Sequence, residues 1–168
     1  NGNIVWLPET PASTWVRTLK TVLINEIQID SIMGTGGVDD DWVELYNPYD
    51  VDVSLAGWSI QEHSKNDPCS TEISFDKGYF PDDAVIPARG FYLIVDIDTN
   101  DNLKNVADMA INWLLTDDNT IYLVRNQESI ESGDDLDIID KVGFGSACFP
   151  EGSATLNPPE AKSKKRHR

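Results

Sequence analysis

The sequence predicts an antiparallel β-sandwich, and three observations support that fold class. Short apolar or alternating segments recur between residues 22 and 145, clusters of Gly, Pro, Asn and Asp separate them, and only one segment has a weak helical pattern. The 168 residues suffice for one domain with a sizeable core, and a composition that is 40% hydrophobic and 25% charged is typical of a chain that folds. About seven short strands at this spacing indicate two packed sheets.

The first half of the chain contains three of the predicted strands. Residues 22–29 (VLINEIQI) are apolar and β-branched, and residues 41–47 (DWVELYN) alternate until Pro48, which cannot donate to a β-ladder. The alternation resumes over residues 51–62, where Gly57 interrupts it as a bulge or a tight bend would.

The second half contains the remaining strands. Residues 84–96 combine a Pro-x-x-Gly turn with a nearly continuous apolar strand, and residues 113–126 indicate a hairpin with Asp-Asp-Asn at its tip. Residues 136–145 form the last predicted strand. The weak helical pattern lies in residues 105–115.

The stretch DDDWVELYNPYDVDVSLAGWSI, residues 39–60, contains three consecutive aspartates followed by two alternating segments. We expect Trp58 to insert into the sandwich and the aspartates to lie at its wet rim, at the end of a loop. The positions predicted for the core of two paired strands are Val43, Leu45, Val53 and Leu55.

The charge of the chain is strongly asymmetric. The net charge is −16, yet five of the 13 basic residues lie in the last seven positions, which leaves eight against 29 acidic residues in residues 1–160, a net charge of −21. Such an acidic body repels phosphate backbones and anionic lipid, so nucleic acid and membranes are poor partners. Cations, metal ions and basic protein surfaces match it better.

The two cysteines and the absence of a long apolar segment bear on the compartment. Cys69 and Cys148 lack metal-ligand spacing with each other and with the two histidines, so either a disulfide or two unrelated thiols remain. A disulfide would indicate an oxidising compartment, and we expect a secreted or cell-surface protein. No run of 18 apolar residues predicts membrane insertion, and any export signal would have been removed before Asn1.

One acidic segment is a candidate metal site. In DIDTNDN, oxygen-bearing side chains recur at every second position, the arrangement that brings several oxygen ligands to a calcium ion. The match to an EF-hand loop is incomplete, because Asp101 stands where glycine is needed and Ala107 where glutamate is needed. A solvated acidic loop is the alternative. The candidate ligands are Asp96, Asp98, Asn100 and Asn102.

The sequence offers no catalytic motif. His63 has no nucleophile motif near it, and GTGG at residues 34–37 lacks the Lys-Ser/Thr that a phosphate-binding loop needs. Paired carboxylates perform hydrolysis only when a pocket holds them with unlike pKa values, and we expect these acidic residues on loop tips. We therefore predict no enzyme, and a metal-dependent hydrolase remains a remote alternative.

The chain divides into an N-terminal arm (residues 1–21), a β-sandwich (22–150) and a C-terminal tail (151–168). The arm either packs on its own domain or pairs with an open sheet edge of a neighbouring subunit. Its apolar residues are Ile4, Val5, Trp6, Leu7, Trp15, Val16 and Leu19.

The tail is basic at its end. We expect it to remain disordered or to dock on the acidic body of a neighbour, with binding of nucleic acid or another anionic polymer as the lesser alternative. Its basic residues are Lys162, Lys164, Lys165, Arg166 and Arg168.

Five segments together resemble the lamin tail domain, an immunoglobulin-like β-sandwich found in nuclear lamins and in secreted bacterial and archaeal proteins. The specific part is Glu-Leu-Tyr-Asn-Pro leading into Leu-x-Gly-Trp. The matching segments are VLINEI (22–27), DWVELYNPYDVDVSLAGWSI (41–60), IPARGFYLIV (86–95), and LLTDDNTIYLV with IIDKVGFG (114–124 and 138–145). The long loop 63–83 and the arm are extras that the resemblance does not explain.

These observations predict a non-catalytic extracellular module that works by protein contact. The apolar arm favours a homopolymer, a filament or surface structure in which the arm of one subunit adds a strand to the next. The alternative is a calcium-binding module for ligand recognition or targeting. No cofactor is certain, and Ca²⁺ is the only candidate.

Overall fold

The structure is a computed structural model that describes residues 21–29, 41–64, 69, 77–113, 115–158 and 164–165. Helix is confined, within this part of the chain, to the four-residue α1 (Asp101–Lys104). The strands are β1 (Leu23–Gln28), β2 (Trp42–Tyr46), β3 (Val53–Ser54), β4 (Ser59–His63), β5 (Lys77–Tyr79), β6 (Val85–Ile86), β7 (Phe91–Asp96), β8 (Met109–Ile111), β9 (Thr120–Val124), β10 (Ile138–Gly143) and β11 (Lys164–Lys165).

The strands form two main sheets, as the sequence predicts. The larger sheet has the order β11-β1-β2-β7-β8, the smaller has the order β10-β9-β4-β5, and β3 and β6 form a separate short pair. The described strand pairs are antiparallel apart from β7 and β8, which run parallel. The prediction of an antiparallel β-sandwich is confirmed.

Side-chain alternation builds the core between the two sheets. Val43 pairs with Ile94, and Leu45 pairs with Tyr92, so these β2 and β7 side chains share the inner face. All four are buried, and they pack with Leu55, Ile60, Leu115, Ile121 and Leu123. The predicted core positions Val43, Leu45 and Leu55 are therefore confirmed, while Val53 and Trp58 pack against the core half-buried.

The predicted pairing of residues 41–47 with residues 51–62 is wrong. β2 pairs with β1 and β7, whereas the short β3 pairs with β6. Asn47, which is fully buried, explains the change of direction because its carboxamide nitrogen donates to the carbonyls of Val51, Ile86 and Pro87. The side chain thus takes the chain out of the larger sheet directly after β2.

Two other local predictions require correction. The weakly helical residues 105–115 contain β8, since Met109 and Ile111 alternate with Ala110 and pack against the core. The predicted hairpin at residues 113–126 contributes β9 alone in the described residues, and Asp118, with a positive φ of 64°, lies in the turn before that strand. Gly57, with a φ of 77°, forms the predicted bend.

The two central strands of the smaller sheet, β4 and β9, are buried on both faces. All five residues of β4 are buried, although the strand contains Ser59, Gln61 and His63. The outer face is covered by a second apolar cluster of Tyr122, Val124 and Ile130, which Ile138 and Phe149 complete. Gln61 secures the covering loop, since its amide donates to the carbonyl of Glu128 and accepts from the N–H of Ile130.

The predicted disulfide is confirmed between Cys69 and Cys148, whose Cα atoms lie 5.4 Å apart. It joins the long loop after β4 to the segment after β10. In the described residues, no helix is long and apolar enough to cross a membrane. The arm residues 4–7, 15, 16 and 19 lie outside the described residues, and the predicted domain boundaries at 21/22 and 150/151 stay predictions.

Candidate functional site

A β-sandwich has two lateral seams where the edges of its sheets meet, and one of them is closed here. The edge strands β8 and β5 approach so closely that a Cβ on Gly78 would lie 2.7 Å from the Cδ1 of Ile111. Glycine leaves the space that the isoleucine side chain fills, so the two edge strands pack closely at this seam.

The opposite seam, between β1 and β10, is open. It contains a groove of about 480 Å³, which we call the open seam. Among the described residues, its apolar lining includes Ile24, Ile27, Val142, Phe144 and Pro158, of which only Val142 is partly exposed, while charged and polar side chains lie around it. The charged side chains are Glu26, Lys141, Glu151 and Lys165. A groove with apolar walls, charged side chains and a sheet edge beside it is suited to an extended peptide.

A carboxylate holds the two sides of the open seam together. The main-chain N–H of Ile24 donates to Oδ2 of Asp140 over 2.6 Å, and Asp140 is buried. The register of β1 against β2 shifts between Ile24 and Glu26, a bulge that makes Asn25 the extra residue. The amide of Asn25 in turn donates to Glu44 of β2 over 2.6 Å. The floor of the groove is therefore fixed by polar side chains as well as by apolar packing.

The C-terminal tail reaches the same edge. Lys165 lies opposite Glu26, and Lys164 lies opposite Ile27, in an antiparallel pair between β11 and β1. Lys165 Nζ lies 3.8 Å from Glu26 Oε2. The sequence predicted that the tail stays disordered or docks on a neighbour, whereas Lys164 and Lys165 pair with the β1 edge of their own chain. The other predicted basic residues, Lys162, Arg166 and Arg168, lie outside the described residues.

The four candidate calcium ligands are placed differently from one another. Asp96 is buried, its Oδ1 accepts from the N–H of Asp98, and its Oδ2 accepts from the N–H of Trp113. Asn100 is the N-cap of α1 and accepts from the N–H of Leu103. Asp98 and Asn102 are exposed. The described residues contain no group of three or more His, Cys, Asp or Glu side chains that could hold a metal ion. Calcium binding stays a prediction.

The expectation that the acidic residues lie on wet loop tips is wrong for several of them. Asp41 is fully buried, its carboxylate accepts from the N–H of Leu115 over 2.9 Å, and its carbonyl accepts from the N–H of Asp96. Asp96 and Asp140 are buried as well. Each binds main-chain N–H groups that have no strand partner there, which offsets the cost of burying a carboxylate. Asp39 and Asp40 lie outside the described residues.

His63 provides no catalytic arrangement in the part of the chain that the structure describes. It is fully buried, neither ring nitrogen has a hydrogen-bond partner, and its ring meets Phe149 edge-on with centroids 5.8 Å apart. Its neighbour Glu62 is buried on the same strand and accepts weakly from Asn119 over 3.5 Å. Both residues belong to the packed interior of the smaller sheet and do not line the open seam.

Comparison with known families confirms the resemblance inferred from the sequence motifs. The Lamin Tail Domain family model matches residues 18–146. The chain belongs to the lamin tail domain family. The match includes β1 to β10, so the immunoglobulin-like sandwich is the family fold, and β11 lies outside the matched range. No curated protein matches the chain at a significant level.

Membership of the lamin tail domain family supports an immunoglobulin-like module of a generally non-catalytic family. The open seam itself was not predicted, because its two sides, β1 and β10, are separated by more than 100 residues. A usable signal was present in the alternation of Lys141 and Gly143 with Val142 and Phe144, which is typical of a strand with one wet side. That signal gives no information about which strand lies opposite.

Proposed function

We propose that this lamin tail domain is a non-catalytic extracellular module that assembles with copies of itself, the open seam of one subunit receiving the N-terminal arm of the next. The observation that carries the proposal is the open seam itself, a 480 Å³ groove that lies beside β1, whose neighbour on that side is the short β11. An extended segment can add to such an edge by main-chain hydrogen bonds while its side chains enter the groove.

The arm has the chemistry that the groove requires. Residues 14–20 (TWVRTLK) combine the apolar Trp15, Val16 and Leu19 with the basic Arg17 and Lys20. Its apolar side chains match the apolar lining, of which Val142 is partly exposed, and its basic side chains match Glu26 and Glu151 in a groove that also contains Lys141 and Lys165. The same segment leads directly into β1, so each subunit has a donor at the start of the domain and an acceptor on its edge.

Such a contact is head-to-tail and forms an open chain of subunits unless the rotation between them closes a ring. A filament or a surface layer follows from this geometry. The Cys69–Cys148 disulfide supports an oxidising, extracellular compartment, because disulfides persist mainly there.

Light scattering at increasing protein concentration tests the proposal, with calcium or a chelator present. The intact chain is expected to form large species, while deletion of residues 1–20 and the full-length double variant Trp15→Asp with Leu19→Asp are expected to remain monomeric. Leu136→Asp is the matched control, because Leu136 is 93% exposed and lies outside the open seam. Assembly of the double variant at the concentration that suffices for the intact chain would disprove the role of the arm.

A further inference from the structure

The described part of the C-terminal tail occupies the edge of β1 that the proposed assembly uses. Lys164 and Lys165 form β11 opposite Ile27 and Glu26, and Lys165 also lines the groove. A main-chain N–H or C=O group that pairs with β11 is not available to a strand from another subunit. The tail and an incoming strand therefore compete for one edge.

The ion pair that helps to hold β11 is exposed to solvent. Lys165 Nζ lies 3.8 Å from Glu26 Oε2, and the Lys165 side chain is 60% exposed, so solvent and salt screen the attraction. Among the described residues, β11 pairs with Glu26 and Ile27 of β1. A segment that pairs along more of β1 would compete with β11 for this edge.

The acidic side chains at the edge of β1 match the basic charge of both the C-terminal tail and the arm. Glu26 lies opposite β11 and Glu151 lines the groove, so both favour a basic segment at the edge. The tail contributes Lys164 and Lys165, and residues 14–20 of the arm contribute Arg17 and Lys20. Both segments are basic, and the arm segment also contains the apolar Trp15, Val16 and Leu19.

We propose that β11 blocks the edge of β1 until it is displaced, a role that we call the guard. Residues 14–20 of a second copy pair with β1 only after β11 has left it. This inference rests on the proposed function, because it needs the open seam to be the acceptor. It adds a regulatory element, since any event that removes the tail or neutralises its lysines makes the acceptor available.

Three forms of the full-length chain test the guard. The first is the unmodified protein. The second joins Glu26→Cys to Lys165→Cys, which lie directly opposite each other, so that a disulfide holds β11 in place. The third combines Lys164→Pro with Lys165→Pro, which cannot donate to the ladder and releases β11. A variant with Lys164→Ala and Lys165→Ala separates the loss of charge from the loss of pairing.

The probe is a fluorescent peptide of residues 11–21, PASTWVRTLKT, and its binding is followed by anisotropy with a scrambled peptide as control. The proline variant is expected to bind the peptide at least tenfold more tightly than the unmodified chain, and the disulfide-held variant is expected not to bind it. The alanine variant should lie between the unmodified and proline forms. Near-ultraviolet circular dichroism checks that all forms are folded.

The outcomes separate the two proposals. Equal binding by all forms would overturn the guard and leave the open seam as the acceptor. No binding by any form, together with no assembly of the intact chain, would overturn the proposed function and the guard with it. Tighter binding by the disulfide-held variant than by the proline variant would overturn the guard, because release of β11 would then not be what frees the edge.

Discussion

The main-chain N–H of Ile24 in β1 donates to the carboxylate of Asp140 in β10, a residue 116 positions later in the chain. This bond joins the larger sheet to the smaller one at the seam that remains open. A side chain thus takes the place of a neighbouring strand as the acceptor for a buried main-chain donor.

Removal of this acceptor should destabilise the fold. Asp140→Ala leaves the N–H of Ile24 without its charged partner, and we expect the free energy of unfolding to fall by about 2–3 kcal/mol. Asp140→Asn keeps an oxygen that can accept, so its loss should be smaller. Urea unfolding measures both, with Glu131→Ala as an exposed control that does not line the groove. A wild-type midpoint for Asp140→Ala would contradict the assigned role.

At the closed seam, we expect Gly78→Ala to produce a steric clash that a second substitution can relieve. A Cβ on Gly78 would lie 2.7 Å from Cδ1 of Ile111 and 3.0 Å from Cγ2 of Ile60. We expect Gly78→Ala to cost about 1–3 kcal/mol, as overpacking usually does. Ile111→Val removes the Cδ1 atom, so the double variant should lose less stability than the sum of the two single variants. Additive losses in a double-mutant cycle would show that the two residues do not limit each other.

Substitutions at Asp96 and Asp98 can separate a structural role of these carboxylates from a metal-binding role. Its two oxygens accept from the N–H groups of Asp98 and Trp113, so Asp96→Ala should lower stability by about 2–4 kcal/mol in calcium and in chelator alike. The exposed Asp98 has no such role for its carboxylate, and Asp98→Ala should leave stability near that of the wild type in chelator. Thermal melts of the three proteins measure this. A calcium-induced rise in the wild-type Tm that Asp98→Ala abolishes would instead support the predicted calcium site.

Because two tyrosines are buried, we expect the free energy of unfolding to fall in strong alkali. Burial raises the pKa of Tyr92 and of Tyr122 to about 12, above the ordinary value of 10.0. The unfolded chain therefore loses these phenolic protons first, so the stability is fully present below pH 10 and falls as the pH rises from about 10 to 12. Absorbance titration of the phenolate should show two late tyrosines, one fewer in Tyr92→Phe and in Tyr122→Phe. Titration of all five tyrosines near pH 10 in the folded protein would contradict the burial effect.

Much of the sandwich could be predicted because alternation reports local burial. β2 follows from its period of two, which also identifies Val43 and Leu45 as core residues, and β7 follows from its nearly continuous apolar run. Gly57 marks its bend because few other residues adopt a positive φ. These features depend on the residue and its immediate neighbours, which the sequence displays directly.

The remaining features depend on residues that are distant in the sequence. Asp41 belongs to a run of aspartates that resembles an exposed loop, and only its distant partner, Leu115, explains why it is buried. The same holds for Asp140 and Ile24 at the open seam. β5 is short and lies in a loop rich in polar residues, so its pairing with β4 gives no periodic signal. Strand order and the acceptors of buried N–H groups therefore require the folded structure.

The Cys69–Cys148 bond, with a sequence separation of 79, also determines what a protease can release. A single cut anywhere between the two cysteines leaves both fragments covalently joined, so β4 and β10 cannot be lost from each other while the bond is intact. A cut before residue 21, or beyond Pro158, removes only an end of the chain. Cleavage before residue 21 or beyond Pro158 would therefore detach the proposed donor arm or the proposed guard, and the disulfide-bonded sandwich between them would remain one molecule.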